Sequence, residues 1–218
     1  MDRNAIEKCK SRLRNAQKAV EDLRAYLEIE DLQSFEDTWF TFLFSWKSIY
    51  TTLEQGSKTT PQSRQWFGGV KQDRKDDDLL QYLFEARNDD EHGLETSIKT
   101  VPELTEIGVR GHGVSNAVLI NGPGIIGGVA INCGAAIAYE GHPSQNPYKV
   151  TALDGKPILT RHTPAHVTLK PVFARGNRIY LPPQNHRGNP LEDKRPLAVA
   201  TLALTYIESL VEEAAKRA

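Results

Sequence analysis

Arg87, Asn88 and His92 are the residues of this chain best spaced to act together. On a helix, Arg87 falls four positions past Leu83 and three past Phe84, so it continues an apolar face. Asn88 lies four past Phe84, and His92 four past Asn88, so these two share one strip. An arginine on a buried face is costly unless it is paired or lines a polar site. A fixed guanidinium holds two phosphate oxygens and stabilises the charge that grows on a phosphorane. A histidine near its ordinary pKa takes a proton from a 2′-hydroxyl or returns one to a leaving 5′-oxygen. Asparagine orients either group. Together they suit cleavage of RNA without a metal or cofactor, the ribose 2′-hydroxyl serving as nucleophile. A structural alternative stands beside this one. Asp89, Asp90 and Glu91 surround the site with negative charge, and Glu91, four residues after Arg87, is placed to pair with it.

Other chemistry-bearing groups are less well placed. Lys170, Arg175, Arg178 and Arg187, with Lys194, Arg195 and Tyr180, form a local basic cluster able to hold an RNA backbone, the alternative being a solvated loop and hairpin. His162 and His166, with His186 or His142, have metal-ligand types, but the segment reads as extended and no metal site is assigned. Arg161 and His166 repeat the five-residue spacing of Arg87 and His92, but Pro164 interrupts any helix there. The glycines from Gly108 to Gly128 lack the lysine of a phosphate loop.

The elements that must position these groups follow from periodicity. Ile6, Cys9, Leu13, Ala16, Val20, Leu23 and Leu27 mark one helix seam. It serves either a bundle or a coiled-coil-like contact with a second copy. Ser34 opens a second helix as a capping box, with the stripe Phe35, Trp39, Phe42, Leu43, Trp46, Ile49, Tyr50 and Leu53 and a C-cap at Gly56. Thr60-Pro61 starts a third, carrying Trp66 and Phe67 and ending near Gly68-Gly69. Asp76, Asp77 and Asp78 begin a fourth, with Leu79, Leu80, Leu83 and Phe84 buried and Gly93 at its end. Beyond Pro102, glycine and β-branched residues predict short strands at 117–120, 125–132, 157–159, 167–174 and 178–181. The last two form a hairpin about Gly176-Asn177. Leu197, Ala200, Leu204, Ile207, Leu210, Val211 and Ala214 define a final helix. The fold class is α+β: a helical bundle over 1–100, a small, mainly antiparallel β unit inserted over 101–190, and a helix over 191–218 returning to the bundle.

Composition adds exclusions. A formal net charge of −1 gives no global field toward nucleic acid or an acidic membrane. The opening, Met1 to Arg14, lacks the apolar core of a signal peptide, and no run is long enough to span a membrane. Cys9 and Cys133 are isolated, as in a reducing compartment, so a cytoplasmic location is expected.

Arg87-Asn88-x-x-x-His92 at the end of a helical unit resembles the signature of the HEPN superfamily, an arginine and polar residue followed by histidine. The stretch from Leu79 to Gly93 also resembles uncharacterised bacterial HEPN-like proteins, as do Val172 to Arg175, Pro182 to His186 and the helix from Ala198. The resemblance implies a metal-independent endoribonuclease of toxin or defence type. In it Arg87 stabilises the phosphorane, His92 acts as general acid and base, and Asn88 orients them. It also implies a homodimer whose two Arg/His sets meet in one cleft, and a cognate antitoxin or partner protein. Some antitoxin-paired members carry a modified tyrosine two residues after the histidine; Leu94 stands there, so that regulation is not carried over. The alternative is a non-catalytic dimeric binding module in which Arg87 and His92 are structural.

Overall fold

A computed structural model describes residues 1–92, 96–109, 118–120, 128–131, 136–140, 149–152, 158–174 and 178–218; the side chains of 90–92 and 104–162 lie outside the description. The fold is α+β, with five α-helices and short antiparallel strands among the described residues. Two compact units are present, one of residues 1–99 and 167–218, the other of 100–166. Residues 167–190, which the sequence assigns to the insert, therefore group with the helices.

In the first unit, α1 (Arg3–Glu28) starts at Asp2, whose carboxylate accepts from the backbone of Asn4 and Ala5. Its seam residues Ile6, Cys9, Ala16, Val20 and Leu23 are buried. They face α2 (Leu32–Gly56) and α5 (Pro196–Ala215), so the seam is satisfied within the chain rather than by a second copy. Burial pushes the Cys9 thiol up to about 11.

All eight residues of the aromatic stripe on α2 are buried. The helix begins earlier than the capping-box reading: Asp31, not Ser34, is the cap and accepts from the Ser34 amide. Gly56 is the last residue of α2 in ordinary helical backbone, followed by a 3-10 turn (Ser57–Thr59), so it is not a left-handed cap. Its role is close approach, since a Cβ there would stand 2.5 Å from that of Ala5.

Helix α3 (Pro61–Asp76) is capped by Thr60 as expected but runs through Gly68-Gly69. Phe67, Val70 and Arg74 continue one buried face past the glycines, and that burial outweighs the ~1 kcal/mol each glycine costs in a helix. Helix α4 (Asp78–His92) follows, with the Asp77 carboxylate accepting from the Leu80 amide.

Strands β1 (Ile98–Val101) and β8 (His166–Leu169) pair as one two-stranded ladder. The expected strand 167–174 is split, because Pro171 has no N–H to extend a ladder. The remainder, β9 (Val172–Ala174), pairs with β10 (Arg178–Tyr180) antiparallel, Phe173 opposite Ile179. The turn residues 175–177 between them lie outside the described residues. A smaller hairpin, β11 (Asn185–His186) and β12 (Asn189–Pro190), turns through Arg187 and Gly188, both with positive φ, as a two-residue type I′ turn requires.

Among the described residues, the second unit holds two three-stranded antiparallel sheets. One has β2 (Leu104–Val109) between β3 (Val118–Ile120) and β7 (Ile158–Thr163). The other has β5 (Ala136–Glu140) between β4 (Gly128–Ile131) and β6 (Lys149–Ala152). Backbone at Arg161 to Thr163 is extended, so that second arginine–histidine spacing is not helical.

Candidate functional site

Helix α4 carries the motif, and it is held at both ends by the strands that follow it. At its start the Asp77 carboxylate is buried, with a side-chain exposure of 8%. Besides capping α4 it accepts from the Arg187 amide at 2.7 Å and meets His186 Nδ1 at 3.0 Å. Burial alone would raise its pKa. The amides of Arg187 and Leu80 and the His186 ring outweigh burial and hold the carboxyl below the usual range. Asn185 Nδ2 donates to Asp78 at 3.0 Å. Midway, Tyr82 Oη donates to the Lys170 carbonyl at 2.7 Å. Near the end, the Phe173 amide donates to Asp89 Oδ2 at 2.9 Å.

The expected geometry of the motif is partly on view. Helix α4 runs through His92, so Asn88 and His92 stand one turn apart on its backbone; the His92 side chain lies outside the described residues. Arg87 is 9% exposed, on the face continuing from Leu80 and Leu83. Its guanidinium lies 5.4 Å from the ring centre of Phe44 on α2. Asn88 is half-buried and held from two sides. Its Nδ2 donates to Glu85 Oε2 at 2.9 Å, and its Oδ1 accepts from Lys47 Nζ.

Lys47 and Arg74 are the members that residue spacing did not single out. Lys47 comes from α2 and Arg74 from α3, and both stand over the ring of Phe84 on α4. The Lys47 ammonium stands 4.9 Å and the Arg74 guanidinium 3.9 Å from its ring centre. Arg74 is 8% exposed and donates to Gln81 Oε1 at 2.7 Å. Burial lowers the pKa of Lys47, and the nearby Arg87 and Arg74 charges add to this, while Glu85 opposes it. Three helices thus bring Lys47, Arg74 and Arg87 near one another over aromatic rings, with Lys47 on Asn88 and the Glu85 carboxylate opposing part of their charge. A dianionic phosphorane or a phosphodiester would relieve that crowding.

Of the basic residues proposed for RNA contact, Lys170, Arg178 and Arg187 stand at three places along α4. Lys170 sits beside the middle of α4, through its carbonyl contact with Tyr82. Arg178 is exposed on the hairpin tied to Asp89. Arg187 is at the other end of the helix, its guanidinium 5.4 Å from the Tyr206 ring. Asp77 and Asp89, which mark those ends, are twelve positions apart along the chain, roughly 18 Å at the rise of an α-helix. Arg175 lies outside the described residues. Among the described residues no cluster suits a metal ion. No described helix is long and apolar enough to cross a membrane. Comparisons with protein-family models, with curated proteins and with solved structures find no match.

Proposed function

We propose that this chain is a HEPN-like, metal-independent endoribonuclease of toxin or defence type, working as a homodimer under a cognate antitoxin or partner protein. The observation that carries the reading is the placement of Lys47, which meets both Asn88 and the Phe84 ring and whose pKa is lowered by burial and by the nearby Arg87 and Arg74 charges, beside the helix that continues to His92. In this reading His92 removes the proton from the 2′-hydroxyl, whose oxygen attacks the adjacent phosphorus. The bond to the 5′-oxygen breaks, and that oxygen leaves with a proton returned by a histidine. Arg87 balances the added charge of the phosphorane, and Lys47 shares that load. Asn88, held by Glu85 and Lys47, keeps the cations in register with His92. The products are a 2′,3′-cyclic phosphate and a 5′-hydroxyl, and DNA, lacking the 2′-hydroxyl, is not cut. Full-length protein is expected to cleave RNA in EDTA and to lose at least about 100-fold in rate on His92→Ala, the contribution of a general acid or base, with its melting midpoint kept. Cleavage that needs added metal, or that survives His92→Ala, overturns the reading.

A second reading has its own support: Asn88 ties α4 to α2 through Lys47, and Asp89 ties it to β9 through the Phe173 amide. In that case the unit is a binding module, Arg87→Ala lowers the melting midpoint and no RNA is cut by the wild type.

A further inference from the structure

A second constellation lies in the helical unit, on the face formed by α3, the start of α4, the β11–β12 turn and α5. A cleft of about 600 Å³ there is lined by Asp73, Asp76, Asp77, Asp78, Arg187 and Tyr206, among others. A smaller chamber of about 250 Å³ shares Asp73, Arg187 and Tyr206 with it and adds Trp66, Leu210 and Glu213. Both sizes suit a small molecule, the larger falling inside the usual range for ligand sites.

The charges are unbalanced in a specific way. Asp77 is committed to His186 and two backbone amides, and Glu213 to Arg217 and Trp66 Nε1. Asp76 is met by Gln72 Nε2 and Asp78 by Asn185 Nδ2, both neutral amides. Asp73 makes no hydrogen bond among the described residues. Asp73, Asp76 and Asp78 therefore lack a cation, and Arg187 is the only cation among the described lining residues. A second, independent feature points inward. Tyr206 is 7% exposed and lines both chambers, yet its hydroxyl has no hydrogen-bond partner among the described residues. Burial, with Tyr50 and Asp73 nearby, pushes its pKa up, so the hydroxyl stays protonated and able to donate.

Asp73 and Asp76 lie on α3 and Asp78 opens α4, and no group of described residues suits a single metal ion. Carboxylates without a cation, in linings that also hold Leu80, Tyr206, Trp66, Val70 and Leu210, match cations spaced along an alkyl chain. We propose that the joined chambers bind a linear aliphatic polyamine. Its ammonium groups meet Asp73, Asp76 and Asp78, the Tyr206 hydroxyl bonds to one of them, and its methylenes run between Tyr206 and Trp66 toward Leu210.

The test is calorimetric titration of the full-length protein with spermidine at near-physiological salt, with magnesium chloride and a trilysine peptide as comparison ligands. Saturable one-to-one binding of spermidine is expected. Asp73→Asn and Asp78→Asn each weaken it about tenfold, the scale of one charge-assisted bond. Tyr206→Phe weakens it severalfold while the melting midpoint stays near wild type. Four results overturn the proposal: no saturable binding, binding unchanged in both aspartate variants, displacement by magnesium at equal ionic strength, or tighter binding of trilysine. RNA cleavage is not the readout, so the outcome is separate from the fate of the Arg87–His92 reading.

Discussion

Asp77 is the residue whose loss should most disturb the placement of α4. Its carboxylate caps the helix through the Leu80 amide, accepts from the Arg187 amide and faces the His186 ring. Losing a helix cap costs about 1 kcal/mol. Losing the charge-assisted bond to Arg187 costs roughly 1.5–3 kcal/mol, and the His186 ring, 11% exposed, is left without its partner. Asp77→Ala should therefore lower unfolding free energy by about 3–5 kcal/mol, and Asp77→Asn, which keeps an acceptor, by about half as much. The measurement is urea denaturation followed by far-UV circular dichroism at pH 7, comparing midpoints at fixed slope. The pH dependence has a definite sign. The folded-state pKa lies below the unfolded value of about 3.9, so the carboxylate's contribution is complete above that value and is lost as pH falls through the folded pKa. The gap between wild type and Asp77→Ala should accordingly narrow below about pH 4. A gap under about 1 kcal/mol at pH 7, or one that widens in acid, would refute the view that Asp77 fastens the β11–β12 turn to the head of α4.

Two further outcomes are expected. Lys47→Met removes an ammonium whose pKa is lowered by burial and by Arg87 and Arg74. A lysine with a depressed folded pKa destabilises the fold while charged, and that penalty is relieved as pH rises from the folded pKa toward the unfolded value of about 10.4. The variant should therefore fall within about 1 kcal/mol of wild type at pH 7, or above it. In an RNA-cleavage assay it should be at least tenfold slower, the worth of one charge-assisted contact; a stable variant with full activity excludes Lys47 from the site. Gly56→Ala forces a methyl to within 2.5 Å of Ala5 Cβ where α1 meets α2. The overlap should cost about 1–3 kcal/mol in spite of alanine's better helix propensity, and Ala5→Gly in the same chain should recover most of it. Equal melting midpoints for wild type and Gly56→Ala would show that the two helices separate freely there.

How much of this was legible in sequence depended on whether the deciding contact was local. The stripe on α2 was legible because eight large apolar residues at helical spacing leave one solution, and all eight are buried. The end of α3 was not, because Gly68-Gly69 is a local stop signal overruled by tertiary burial of Val70 and Arg74. The β11–β12 hairpin was missed as an element. Its register is set by a turn with Arg187 at φ 51°, a conformation non-glycine residues seldom adopt. That turn is fixed by Asp77, a partner 110 residues earlier in the chain. The candidate site divides the same way. Arg87 and Asn88 were found because helical periodicity relates them to Leu83 and Phe84. Lys47 was not, since its relation to Asn88 spans 41 residues and two helices. A signal was nevertheless present: Lys47 is the only basic residue in α2, directly after Trp46 in the most aromatic stretch of the chain. A lone ammonium beside a packed aromatic face must find a polar partner, and the nearest unspent one is on the helix that carries the motif. An isolated cation in an aromatic core helix is thus a sequence signal for a buried polar site, and Lys47 carries it.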